Sequence, residues 1–343
     1  MLANDLARQR LSFLDSLRAI AILMVVYIHA SIGASSSTQY MLVDFIDALI
    51  RFSVPLFVFI SGFLSVNVGV KKILSRLPRI ILPFLILSLM GQIIRGGLAV
   101  FSHPYELFWR VFFGDTFGIY YFVFIILYLY LLTPIINYFK KFIFIILPLC
   151  LSCSLIYLLI SEYHLSDSIF FNNYEFIKRS PFIWLSFYLF GAFLRIYLKE
   201  ILQKISKTSI SIIFIFISII YAMNYFLKFT PEQSVGGFIW FIYSFTAILF
   251  FVIYSSNWKR SVLMEHISGI SYPIYLLHIL PIQFFTLFVM PGYEPVEIFV
   301  RNNYLITVVF LYLLGLGASW FISGLVMRYL GKYAIIIGLK GRN

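Results

Sequence analysis

Leu11-Ser12-Phe13-Leu14-Asp15-Ser16-Leu17-Arg18-Ala19-Ile20-Ala21-Ile22-Leu23-Met24-Val25-Val26-Tyr27-Ile28-His29-Ala30 decides the fold class. Between Arg18 and His29 it carries no ionisable group except the phenol of Tyr27, and about 20 such residues in a helix cross a hydrocarbon layer about 30 Å thick. Stretches of this kind recur at approximately 13–33, 40–66, 79–100, 118–139, 141–161, 181–199, 208–227, 235–255, 268–290 and 304–328. Pro55, Pro83, Pro134, Pro148, Pro273 and Pro281 fall inside them, which a bundle of neighbouring helices tolerates. The pattern predicts an all-α polytopic membrane protein, a bundle of about ten transmembrane helices. It is read as one transmembrane domain over 1–343 with no appended soluble domain.

Composition leads to the same class. Of 343 residues 62% are hydrophobic, 20% aromatic and 12% charged, where an ordinary soluble domain is about 25% charged. A soluble domain of about 300 residues still leaves about a quarter of its unfolded-chain surface in water, so this chain is not a soluble enzyme. Its apolar content excludes a disordered chain, and two cysteines are too few for a disulfide-stapled module. Those two, Cys150 and Cys153, lie mid-span and read as small apolar filler.

The net charge of +12 is mainly a topology signal. Most of the 26 Lys and Arg fall in alternate segments that include Arg8, Arg10, Arg18, Lys71, Lys72, Arg76, Arg79, Lys140 and Lys141, which places both termini in the cytoplasm. Positive charge spread over separate short loops does not form a nucleic-acid groove. Anionic membrane lipids, or a phosphorylated cofactor, would meet the inner face. Small residues from Ala30 to Ser37 are similar to a processing site, but Arg18 and His29 within the first stretch favour retention.

An ionisable side chain at mid-bilayer costs about 2.5–3.5 kcal/mol or more, so each one is a site candidate. Arg18 and His29 are eleven residues apart, a rise of about 16 Å with an offset of about 20°, and share one helix face. Arg18 reads equally as a snorkelling interface anchor. His29 reads as an interhelical hydrogen-bond partner or as a buried general base, since an imidazole takes and returns a proton near neutral pH. Asp44, Asp47 and Arg51 form an i, i+3, i+7 stripe. It is either a self-satisfied ladder, or Asp44 or Asp47 orients His29 and Arg51 stabilises an oxyanion. Arg76 and Arg79 flank Pro78, which suits a first helical turn, so two guanidinium forks and a helix N-terminus can face one anion. His278 is a second intramembrane histidine. His103, His164 and His266 fall in loops.

Arg18-x10-His29, Val54-Pro55-Leu56-Phe57 leading to Ser61-Gly62-Phe63-Leu64, Arg76-x-x-Arg79 and Ser271-Tyr272-Pro273-Ile274-Tyr275-Leu276-Leu277-His278 occur in that order. Together they resemble the integral-membrane acyltransferase 3 family, whose bacterial members acylate cell-surface glycans. Tyr121-Phe122, before Leu131-Leu132-Thr133-Pro134, stands where that family usually has Trp-Phe. The resemblance implies transfer of an acyl group, commonly acetyl, from cytoplasmic acyl-CoA to a hydroxyl of a surface or lipid-linked glycan at a bacterial cytoplasmic membrane, with no metal. It implies His29 as catalytic residue, Arg18 as its motif partner, and Arg76 with Arg79 as donor contacts; the residues themselves add Asp47 as a candidate orienter in catalysis and Arg18 as a further candidate donor contact. Arg51, Tyr121, Tyr275 and His278 are the candidate substrate contacts. The rival readings are a secondary transporter or lipid-linked glycan carrier with a His29–Asp47–Arg51 relay, and a non-catalytic subunit of a surface-polysaccharide assembly.

Overall fold

The computed structural model describes residues 2–31, 38–231, 236–289 and 293–339, with side chains except at 2–11, 38–40, 297, 301 and 332. The small-residue stretch 32–37 and the side chains of Arg8 and Arg10 thus lie outside the described residues. No strand occurs among the described residues. Nine helical stretches among them are long and apolar enough to cross a membrane. One of these, Tyr121–Glu162, has 42 residues, twice a bilayer's need. A 3₁₀ turn at Lys140–Phe142 divides it into two helices of nearly equal length, which accounts for the ten expected spans.

The principal helices are α1 (Leu2–Ala30), α2 (Thr38–Ile50), α3 (Ser53–Ser65), α4 (Leu77–Gly96), α5 (Pro104–Phe112), α6 (Tyr121–Phe139), α7 (Ile143–Glu162), α8 (Pro181–Lys204), α9 (Lys207–Leu227), α10 (Phe238–Ser255), α11 (Ser271–Leu277), α12 (Ile279–Phe284) and α13 (Tyr304–Tyr329). On α9, Ile212, Ile215, Phe216 and Ile219 form an exposed i, i+3, i+4, i+7 stripe, a face suited to lipid rather than water.

The chain divides into two compact units. One comprises residues 1–21, 48–73 and 125–265; the other comprises 22–47, 74–124 and 266–343. In the first, α3 and α8 cross through paired glycines. A Cβ on Gly62 would strike the Tyr188 carbonyl, and one on Gly191 would strike the Phe59 carbonyl, the small-residue contact by which membrane helices gain dispersion energy. Trp184, Phe187, Trp240 and Phe241 are buried beside this crossing, with Phe187 and Phe245 stacked at 4.4 Å.

The stretch read as one span over 40–66 is interrupted at Arg51–Phe52, between α2 and α3. Pro55 has no N–H for the Arg51 carbonyl and its ring crowds that carbonyl, which favours a break at this point. The Tyr243 hydroxyl donates to the Leu49 carbonyl at 2.7 Å, supplying a donor at the break. Arg51 therefore sits at a junction rather than on a straight stripe with Asp44 and Asp47.

In the second unit, Ala30, Val43, Ile282, Tyr304, Val308 and Leu311 form a buried core. Gly315 of α13 lets this core close, since a Cβ there would lie 3.1 Å from Ile282 and 3.4 Å from the His278 carbonyl. The helix ahead of Ile282 is interrupted at His278, between α11 and α12, because Pro281 offers no N–H to the Leu277 carbonyl.

Replacing Gly191 with Leu should cost about 1–3 kcal/mol or more, because the obstacle is backbone that cannot change rotamer. Thermal unfolding of the detergent-solubilised protein checks this, and an unchanged midpoint would contradict the α3–α8 packing.

Candidate active site

Two hydrogen bonds fix the site's frame. The Tyr272 hydroxyl donates to the Ile80 carbonyl at 2.7 Å, one turn into α4, and Arg95 near the other end of α4 donates to the Gln283 side chain at 2.8 Å. Residue numbers rise in the same direction on both sides of these contacts, so α11 and α12 run parallel to α4. His278 lies midway between the two pins, about 8–9 Å along the axis from each. Since α4 has 20 residues and rises about 30 Å, this histidine sits near the middle of a bilayer-length helix.

His278 is fully buried. Its Nδ1 lies 2.8 Å from the Ile274 carbonyl, and a carbonyl only accepts, so Nδ1 carries the proton and Nε2 holds a lone pair. That Nε2 is buried with no hydrogen-bond partner among the described residues, an arrangement that calls for an explanation beyond packing. The ring of His29, in the last turn of α1, is 5.4 Å away centroid to centroid with a 36° tilt. Sequence reading singled out the two histidines separately; the fold brings them together.

Tyrosines line the approach. Tyr275 is buried, 6.4 Å from His278 by ring centroids, and its hydroxyl donates to the Ile119 carbonyl. Tyr272 stacks on Tyr275 at 6.4 Å. Tyr120, fully buried, donates to the Leu276 carbonyl at 2.6 Å, while its neighbour Tyr121 is half-buried at the start of α6. The sequence points to Tyr121, whereas the structure places Tyr120 and Tyr272 in the same frame. Adjacency to Phe122 gave no means of choosing between Tyr120 and Tyr121, whereas Tyr272 was already visible in the Ser271–His278 segment.

Asp47 is buried and lies 3.5 Å from the Ser31 hydroxyl, which makes its shorter bond, 2.7 Å, to the Ile28 carbonyl. The carboxylate thus stands by the C-terminal end of α1, near the residues that flank His29. Arg76 caps the start of α4 and Pro78 occupies its first turn, as the sequence predicts. The Arg79 N–H donates to the Arg76 carbonyl at 3.1 Å, with Arg76 half-buried and Arg79 exposed. Gly338, at φ +83, packs on the Tyr272 ring and the Arg79 carbonyl; a side chain there would meet both the strained backbone and the ring.

Arg18 and Arg51 belong to the other unit. Arg18 is half-buried and 3.6 Å from Asp15. Because α1 is continuous from Leu2 to Ala30, Arg18 and His29 share its face as their spacing predicts.

The arrangement offers a neutral base at mid-depth, a second imidazole beside it, and guanidinium groups at one end of the accompanying helix. Such a constellation can move a proton and an acyl group between neutral reactants. No curated protein and no solved structure matches the chain. A family model described as an acyltransferase domain matches residues 11–324, which takes in most of α1, both histidines, Arg76 and Arg79, and most of α13. The chain belongs to the acyltransferase 3 family and is a multi-pass membrane acyltransferase.

Proposed function

We propose that the protein transfers an acyl group, most simply acetyl, from cytoplasmic acyl-CoA to a hydroxyl of an extracytoplasmic cell-surface or lipid-linked glycan, at the cytoplasmic membrane of a bacterium. The single observation that supports this reading is the pairing of half-buried His29 with fully buried His278 in a chain of the acyltransferase 3 family.

In the proposed reaction His29 takes the proton of the acceptor hydroxyl as its oxygen attacks the thioester carbonyl. The C–O bond forms, the C–S bond breaks, and the proton leaves on the CoA sulfur, giving an ester and free thiol. While it holds that proton, His29 needs a hydrogen-bond acceptor for its second N–H. On this reading the Nε2 lone pair of His278, whose Nδ1 is engaged with the Ile274 carbonyl, accepts it. His278 is thus a positioning residue for the catalytic His29, in the way a carboxylate serves the histidine of a hydrolase triad. Arg76 and Arg79 hold the phosphates of the donor at the α4 N-terminus.

Purified protein in nanodiscs, given labelled acetyl-CoA and base-treated surface glycan from its host cells, should form ester-linked label on the glycan. Failure of the wild type to do so overturns the reading. His29→Ala should lower kcat by about 10²–10⁴-fold. His278→Phe should lower kcat with both KM values unchanged, and His278→Gln, which restores an acceptor, should recover part of the loss; equal kcat in all three would remove the positioning role. Arg76→Ala combined with Arg79→Ala should raise the acetyl-CoA KM by about ten-fold or more, and unchanged donor affinity would remove that assignment.

A further inference from the structure

Beyond the histidines, one polar cavity is unused by the mechanism above. It has a volume of about 230 Å³ and lies where α4 ends and α5 begins, lined among others by Gln92, Ala99, His103, Glu106, Leu107 and Arg110. His103, Glu106 and Arg110 are spaced i, i+3, i+7 and share one face; His103 itself is the N-cap residue of α5. Glu106 and Arg110 are paired at 2.5 Å with both side chains more than half exposed. Buried Gln92 donates to the Thr116 hydroxyl at 3.2 Å. The nearby Arg95 is engaged with Gln283 and lies 5.1 Å over the Phe117 ring, so Arg110 is the guanidinium on the cavity wall.

Placement gives the cavity its meaning. Gly97, at φ +60, turns the chain at the end of α4 so that α5 can follow, a conformation that costs a side-chain-bearing residue strain. On α5, Tyr105, Phe108, Trp109 and Phe112 are exposed on the face away from the His103–Arg110 stripe. An aromatic face of this kind settles at the membrane–water interface. The cavity therefore opens at interfacial depth, at the end of α4 opposite Arg76 and Arg79. A carboxylate, a guanidinium, an imidazole and an amide around a small concave space suit a neutral, hydroxyl-rich ligand better than an apolar or a highly charged one. Its volume is below the about 300–1,000 Å³ of drug-sized sites, which fits one sugar ring.

We infer that this cavity is the acceptor subsite, binding one sugar unit of the glycan whose hydroxyl is acylated. The inference rests on the acyltransferase reading proposed above. Glu106 and Arg110 exchange part of their mutual contact for sugar hydroxyls, and His103 and Gln92 supply further donors and acceptors. The exposed aromatic face of α5 holds the subsite at the surface where a glycan chain arrives.

The test measures both KM values of the nanodisc-embedded protein with acetyl-CoA and base-treated surface glycan as probes. Glu106→Gln and His103→Ala should each raise the glycan KM by about ten-fold and leave the acetyl-CoA KM unchanged. Ala99→Phe, which fills the cavity without removing a polar group, should do the same, so that loss of fold and loss of subsite are told apart by the retained donor KM. Wild-type transfer with all three variants at wild-type glycan KM overturns the subsite while leaving the reaction intact. Absence of transfer by the wild type overturns the underlying reading instead.

Discussion

In hydrocarbon a backbone carbonyl released from its helix has no water to turn to, and an unmatched one costs several kcal/mol. Tyrosine hydroxyls supply backbone carbonyls with donors from neighbouring elements. Tyr243 donates to Leu49 beside the α2–α3 break, Tyr120 to Leu276 beside the α11–α12 break, Tyr275 to Ile119 just ahead of α6, and Tyr272 to Ile80 in the first turns of α4. A phenol suits this role because its ring packs as a hydrophobe while its hydroxyl reaches a partner. These bonds tie the backbone beside the proline interruptions to neighbouring elements.

The interruptions lie where the site requires them. His278 stands at the α11–α12 break, and the straps from Tyr120 and Tyr272 hold the backbone on its N-terminal side against α4 and the segment before α6. Its Nδ1–H is spent on the Ile274 carbonyl, so the ring presents a lone pair in one tautomer instead of two. A neutral imidazole is cheaper to hold at this depth than any ion, and the close approach at Gly315 packs α13 against the same segment. On the proposed reading, rigidity around the ring is what lets it position His29.

Much of this was legible in the sequence. The apolar stretches gave the helices, since length and polarity alone decide whether a segment can span, and Arg18-x10-His29 read correctly as one face because α1 is regular throughout. Pro78 marked the start of α4 as its fixed φ requires. The breaks were harder to see. Pro55 and Pro281 announce trouble for a helix but not how it is resolved, so the i, i+3, i+7 spacing suggests a stripe through Arg51 that the chain interrupts. The meeting of His29 with His278 joins residues far apart in sequence, and no spacing rule reaches that far. His103 looked like an ordinary loop residue because its two partners, Glu106 and Arg110, belong to a helix too short to register as a span.

On the proposed reading, depth also decides which parts of the substrates move. The phosphates of the donor carry charges that would cost several kcal/mol each at mid-bilayer, so they stay at the N-terminal end of α4 with Arg76 and Arg79. What travels inward is the thioester on its uncharged arm. The acceptor hydroxyl is neutral too, and His278 lies only about 8 Å along the helix from Gln283, close to the end where the polar cavity opens. The one charge created at depth is the proton on His29, which comes as the thioester carbonyl gains negative character and leaves with the thiol. An adjacent Nε2 lone pair offsets that transient charge without bringing a permanent one into the membrane, whereas a carboxylate in the same place would have to be stabilised in every state of the cycle. On that reading a pair of neutral imidazoles is a catalytic couple suited to the depth of the bilayer.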